Sequence, residues 1–423
     1  MAGFTVWGAL SFSVLLLATA ALEHRAVARE PDRFVARVIL LGFLAKLVGT
    51  AARYWMITEL YGRGDALRYL SNGTEIAAGI RDGQLPENAW ATGTPSMDFL
   101  AGVVFAVTQP RMLHGFLIFS LLSFLGAYLA FRAFTLAFPE GDRRRYAVLV
   151  LLFPTMVFWP SSLGKEAWLV FGLGVSAYGG ARLLRRLRGG YLLTIAGVAG
   201  VFLIRPHMRA LLALTLLIGF AVRFRDPDVQ RGAAGWVIGL LILGVGAGYA
   251  LDNWGDLLPR DEEIEGTVFD QVTGETLRRT STGGSAFDSR PVRSPVDLGH
   301  ALITVPFRPF PWEADNVQML LSAIEGLALL GLFVSSLPRL RRLPRYLLRR
   351  PYVAFATAYS LGFIVAFSNV GNFGILVRQR AQLLPFLAVL LCLPPVTDAV
   401  RRRRRRKAQP LEEPDRQPVS TSV

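Results

Sequence analysis

Runs of apolar residues close to the length of a membrane crossing recur along most of this chain. That feature constrains its fold more than any other. About twenty helical residues cover about 30 Å of hydrocarbon. Such runs lie near 4–22, 35–55, 112–134, 146–160, 166–184, 190–204, 208–223, 233–251, 317–337, 352–368 and 378–397, eleven in all. A segment in hydrocarbon must satisfy its own backbone polar groups, and a helix does so internally. A β-barrel would give alternating segments of about ten residues, which the sequence lacks. The expected fold is all-α: a polytopic transmembrane bundle of about 11 spans over residues 1–400, with a basic, disordered tail at 401–423. Composition agrees. Hydrophobic residues are 52% and charged residues 18%, against about 25% charged in a soluble domain.

The net charge of +15 would point to nucleic acid in a soluble protein. Here the arginines sit in short connections between spans, so no nucleic-acid partner is expected. Basic clusters occupy alternate connections: Arg25 to Arg33, Arg143 to Arg145, Arg182 to Arg188, Arg223 to Arg231, Arg339 to Arg350, and Arg401 to Lys407. Positive charge marks the cytoplasmic side. The chain is therefore expected in the plasma membrane with its N-terminus outside and its C-terminus inside. The N-terminal run has no basic leader and no clear cleavage site, so it reads as a retained span. Sidedness depends on the short apolar stretch 97–108. It is expected to lie flat, within an outer loop over 57–111 that carries amphipathic helices. A second long outer loop covers 252–316, and its part 261–297 reads as a flexible lid. The single cysteine, Cys392, lies in an apolar run, which excludes a disulfide or cysteine-metal framework.

On the outer side five places carry chemistry. The first loop opens Gly64-Asp65-Ala66-Leu67-Arg68-Tyr69. Asp65, at a helix start, can cap backbone N–H groups or act as a general base or metal ligand. Lys165-Glu166 stands between tryptophans at the outer start of a span. Glu166 lies just inside the apolar run, where an unpaired carboxylate is costly, though a helix N-terminus also favours an acid. Arg205-Pro206-His207 puts arginine in a short outer turn, against the positive-inside pattern. A guanidinium fork suits phosphate oxygens, and His207 could move protons. Arg308 and Glu313 lie in an aromatic, proline-rich segment that could anchor at the membrane surface or wall a site. Arg378 and Arg380 stand at the outer start of the last span, where they oppose the helix dipole and an anion would relieve them. Glu325 lies inside a span, where carboxylates are functional candidates. No Walker loop, dinucleotide fingerprint, HExxH or Gly-x-Ser-x-Gly elbow is present.

Acids and isolated arginines at one membrane level suit a lipid-linked phosphate. The arginines would hold the phosphate or diphosphate, and a carboxylate would face the acceptor hydroxyl. The pattern resembles the GT-C superfamily of integral membrane glycosyltransferases, whose members use polyprenyl-phosphate-linked sugars on the extracytoplasmic face. The residues that carry the resemblance are Gly64-Asp65-Ala66-Leu67-Arg68-Tyr69 just after a span, leading into membrane-surface helices. Many members have two adjacent acids there; this chain has one. The resemblance implies Asp65 as catalytic base or metal-site acid and Glu166 as a second acid. It puts Arg205 or Arg378 with Arg380 on the donor phosphate, and Tyr69, Lys165, His207, Arg308 and Glu313 around the substrates. The implied partners are a polyprenyl-phosphate-linked sugar donor, membrane lipid, and a glycan, lipid or protein acceptor. No cofactor is fixed, and a divalent metal stays open. Two alternatives stand beside it. A Wzy-like polymerase or ligase would lean on arginines more than on Asp65. A lipid or glycan transporter would do no chemistry and would carry charge near the membrane midplane.

Overall fold

The computed structural model describes residues 6–62, 64–86, 91–223, 285–287 and 289–395. Among these the regular elements are all helical, with one isolated bridge joining Ala286 and Asn372. The order begins α1 (Val6–Ala28), α2 (Arg33–Trp55, continued by a π-helical turn, Met56–Tyr61), α3 (Asp65–Arg81), α4 (Thr94–Val107) and α5 (Met112–Ala137). Then come α6 (Arg143–Leu151), α7 (Pro154–Phe158), α8 (Lys165–Leu184), α9 (Gly190–Ile204) and α10 (Pro206–Arg223). After the undescribed stretch follow α11 (Pro295–Phe307), α12 (Val317–Leu340), α13 (Leu343–Leu347), α14 (Pro351–Phe367) and α15 (Phe373–Leu391).

Five described helical stretches are long and apolar enough to cross a membrane: Arg33–Tyr61, Met112–Ala137, Lys165–Leu184, Val317–Leu340 and Phe373–Leu391. Shorter apolar helices cover Thr94–Val107, Gly190–Ile204 and Pro351–Phe367. The expected span at 146–160 is not one helix. Pro154 lacks an N–H and breaks the ladder, and α6 and α7 meet at that break. The freed groups have partners: Glu325 Oε1 of α12 accepts from Thr155 N at 2.7 Å, and Lys46 Nζ of α2 donates to Met156 O at 2.7 Å. The expected span at 233–251, most of the second outer loop and the basic tail lie outside the described residues.

Small residues set the closest approaches, as between membrane helices generally. A Cβ built on Gly174 of α8 would sit 2.0 Å from Gly126 O of α5. On the other side of α8, a Cβ on Gly179 would lie 2.4 Å from Thr194 N of α9. Trp168 Nε1 donates to Gly200 O at 2.8 Å and pins the same pair.

The basic connections gather at one end of the bundle. Arg144 pairs with Asp32 at 2.8 Å, Arg339 with Asp142 at 2.9 Å, Arg350 with Glu140 at 2.5 Å, and Arg143 with Glu30. Asp142 N donates to Cys392 O at 2.8 Å, which ties the foot of α15 into this belt. Asp32 and Asp142 also cap α2 and α6. α2 rises from the belt, and α8 and α15 descend to it, so Arg53, Lys165 and Arg378 lie at the far end.

At that far end the described residues of the expected first outer loop form a helical hairpin. Tyr61 ends the π turn, and the chain turns on Gly62 (φ 59°) and Gly64 (φ 140°), backbone regions that disfavour other residues. α3 buries Ala66, Tyr69, Gly73 and Ala77, an i, i+3, i+4 stripe. It packs against α4, where a Cβ on Gly73 would meet Ala101 Cβ at 2.9 Å. The hairpin is tied to the bundle by Gly93 N, which donates to Leu203 O of α9 at 2.7 Å.

Candidate functional site

The tie at Gly93 sets the site. It brings Thr94, the first residue of α4, level with Arg205, which follows α9. Lys165 Nζ donates to Thr94 Oγ1 at 2.7 Å, so the start of α8 joins the same level. Asp65, first residue of α3, is exposed beside it.

Electrostatic coupling links these residues. Glu166 acts on Lys165, Arg205 and Tyr69. Asp65 acts on Lys165 and Tyr69, and Arg378 acts on Arg205. Six residues singled out in the sequence, namely Asp65, Tyr69, Lys165, Glu166, Arg205 and Arg378, thus form one cluster. Tyr69 is 2% exposed; burial, then Asp65 and Glu166, push its phenol up, so it stays neutral. α14 closes one side: the Arg205 guanidinium lies over the Phe367 ring at 5.9 Å, with buried Tyr359 in its field.

Arg53, which no sequence motif marks, joins this cluster. It sits near the top of α2 with its guanidinium 5.2 Å above Phe158 and 5.3 Å above Trp159. Its Nε is buried without a hydrogen-bond partner. Glu166, Arg378 and Tyr61 all act on it. Its sequence signal is the one that marks Arg205: a basic residue at the end of an apolar run expected to face outward. Asp98 of α4 was missed too. It is buried, accepts from Asn72 at 3.1 Å and pairs with Arg68 at 3.6 Å.

Other expected residues lie elsewhere. Arg380 is two positions from Arg378, about 200° around a helix, and points into the bundle. It is 1% exposed, donates to Arg308 O at 2.6 Å and lies in the field of Glu325. Arg308 and Glu313 clasp each other, and Glu313 also accepts from Phe310 N at 2.8 Å. With Arg308 over Phe287 at 4.4 Å and Phe373 at 5.1 Å, that clasp holds the approach to α15. The side chain of His207 lies outside the described residues.

Among the described residues, no group of three or more His, Cys, Asp and Glu side chains is placed to hold a metal. Nor does any ion pair within 4 Å join Asp65 or Glu166 to Arg53, Lys165, Arg205 or Arg378. Like unit charges about 6 Å apart in an effective dielectric of about 20 repel by about 3 kcal/mol. Four cations near two carboxylates, without direct pairing, leave positive charge that an anion would offset.

No family model, curated protein or solved structure matches the chain.

Proposed function

We propose that this protein is a membrane glycosyltransferase. It transfers a sugar from a polyprenyl-phosphate-linked donor to a cell-envelope acceptor on the extracytoplasmic face of the plasma membrane. One observation carries the reading: Asp65, Tyr69, Lys165, Glu166, Arg205 and Arg378, from connections far apart in sequence, converge at the bundle end opposite the arginine belt. Positive connections face the cytoplasm, so the cluster faces outward.

In this reading the guanidinium groups hold the phosphate through paired N–H donors and stabilise the charge that grows on it as the sugar leaves. Asp65, exposed at the rim, takes the proton of the acceptor hydroxyl. Glu166 keeps the arginines oriented between donors. Asp65→Asn is expected to abolish incorporation of radiolabelled sugar into envelope glycan, while the protein accumulates and unfolds like the parent. Full incorporation by that variant would refute the assignment.

The excess of arginine over acid also favours a Wzy-like polymerase or ligase, which would rely on Arg205 and not on Asp65. Arg205→Ala and Asp65→Ala, compared in one glycan assay, separate the two. An inert Asp65→Ala change together with a dead Arg205→Ala variant selects the polymerase.

A further inference from the structure

The transferase reading leaves open how many phosphates the donor carries, and the placement of Arg53 bears on that number. Arg53 lies over the Trp159 ring. Trp159 is one wall of a cavity of about 100 Å³ that is also lined by Asn316, Gln318, Ser322, Gly374 and Val377. Arg378, next to Val377, donates from Nε at 3.2 Å to the carbonyl O of Gly374, a residue that also lines the cavity. Tyr61 Oη, donating to Gln318 at 2.5 Å, bridges α2 to α12 at the rim. Two guanidinium groups therefore each contact a residue that lines this cavity, Arg53 at Trp159 and Arg378 at Gly374, in addition to Arg205 and Lys165 beside Thr94.

Beside the cavity, α12 presents exposed apolar side chains: Val317, Leu320, Leu321 and Ile324. A lipid chain can lie along that face while its charged head turns inward. The head must then satisfy the charge it meets. Arg68 and Asp98 neutralise each other. Among the groups that act on one another here, Arg53, Lys165, Arg205 and Arg378 then stand against Asp65 and Glu166, a formal excess of two positive charges. A sugar phosphodiester carries one negative charge; a sugar diphosphate diester carries two. The buried Nε of Arg53 without a partner is a donor waiting for an acceptor, and a planar guanidinium over an aromatic ring is already oriented to give two parallel hydrogen bonds.

We infer that the donor is a lipid-linked diphosphate, with Arg53 and Arg378 on the phosphate next to the lipid and Arg205 and Lys165 on the one next to the sugar. This rests on the transferase reading for its setting, but its test is a binding measurement.

Hexose esters of farnesyl diphosphate and farnesyl monophosphate, which carry two and one negative charges, serve as probes, titrated calorimetrically into the full-length protein in nanodiscs. The parent is expected to bind the diphosphate at least ten-fold more tightly. In Arg53→Gln that preference is expected to fall to about two-fold or less. Arg378→Gln serves equally if Arg53→Gln does not fold. Equal binding of the two probes by the parent overturns the inference, and so does an undiminished preference in whichever variant folds. Diphosphate preference without any sugar transfer would retain this site and discard the transferase. Transfer without such preference would do the reverse.

Discussion

A carboxylate inside an apolar helix must earn its burial through its partners, and Glu325 has two. It accepts from Thr155 N where the broken α6–α7 segment frees a backbone donor, and its field reaches the buried Arg380. An unsatisfied buried N–H costs about 1–3 kcal/mol. Glu325→Leu is expected to lower stability by at least that much, whereas Glu325→Gln keeps an acceptor in place and costs less. Thermal unfolding of both variants in detergent measures the difference; equal loss would mean that charge alone matters there. The same residue marks how far sequence could go. Its presence within a span was legible, but its partner was a backbone N–H exposed by Pro154, and nothing local in sequence pairs positions 155 and 325. Asp65, Glu166 and Arg205 were legible because each breaks a rule of its surroundings. Arg53 breaks the same rule less visibly, since Tyr54 and Trp55 follow it and read as an interface belt. Arg380 was misplaced beside Arg378 because adjacency in sequence hid a turn of about 200°.

Between helices, small residues determine how near two backbones come. α5 and α8 touch at Gly126 and Gly174, with no room for a methyl group: a Cβ on Gly174 would lie 2.6 Å from Gly126 Cα. Backbone cannot step aside as a side chain can, so Gly174→Ala must part the helices. Overpacking typically costs about 1–3 kcal/mol, and α8 carries Lys165 and Glu166 at its top. The expected result is a lower unfolding temperature and a loss of sugar transfer larger than the loss of folded protein. Gly331→Ala in α12 is the control. A Cβ there meets nothing within 4 Å, and replacing a helical glycine by alanine gains about 0.5–1 kcal/mol. If both variants behaved alike, the close α5–α8 approach would not be a determinant of the fold. The element pattern was readable in the sequence where apolar runs were long, as for α2, α5, α8, α12 and α15. It was not readable at 146–160, where the apolar run continues but Pro154 ends the hydrogen-bond ladder. The stretch 97–108, expected to lie flat, belongs to a helix of its own, α4, packed on α3 through Gly73 and Gly102.

For the molecule as a whole, the two charged ends are the organising fact. At one end arginines meet acids in direct pairs, Arg144 with Asp32 and Arg339 with Asp142; at the other, Arg53, Arg205 and Arg378 converge without such pairs. A belt of satisfied charge ties one end of the bundle together, and the other end gathers charge that direct ion pairs leave unsatisfied. If the belt faces the cytoplasm, a marker on α3 must face the opposite compartment. The native chain favours the experiment, because Cys392 is completely buried and leaves a silent background for labelling. Ser71, exposed on α3, and Arg341, exposed after α12, stand at opposite ends. In intact cells a membrane-impermeant maleimide is expected to label Ser71→Cys but not Arg341→Cys, and permeabilisation is expected to make Arg341→Cys reactive. Labelling of both from outside would break the two-ended architecture. Labelling of Arg341→Cys alone would invert the protein, placing the arginine cluster in the cytoplasm, where no extracytoplasmic lipid-linked donor could reach it.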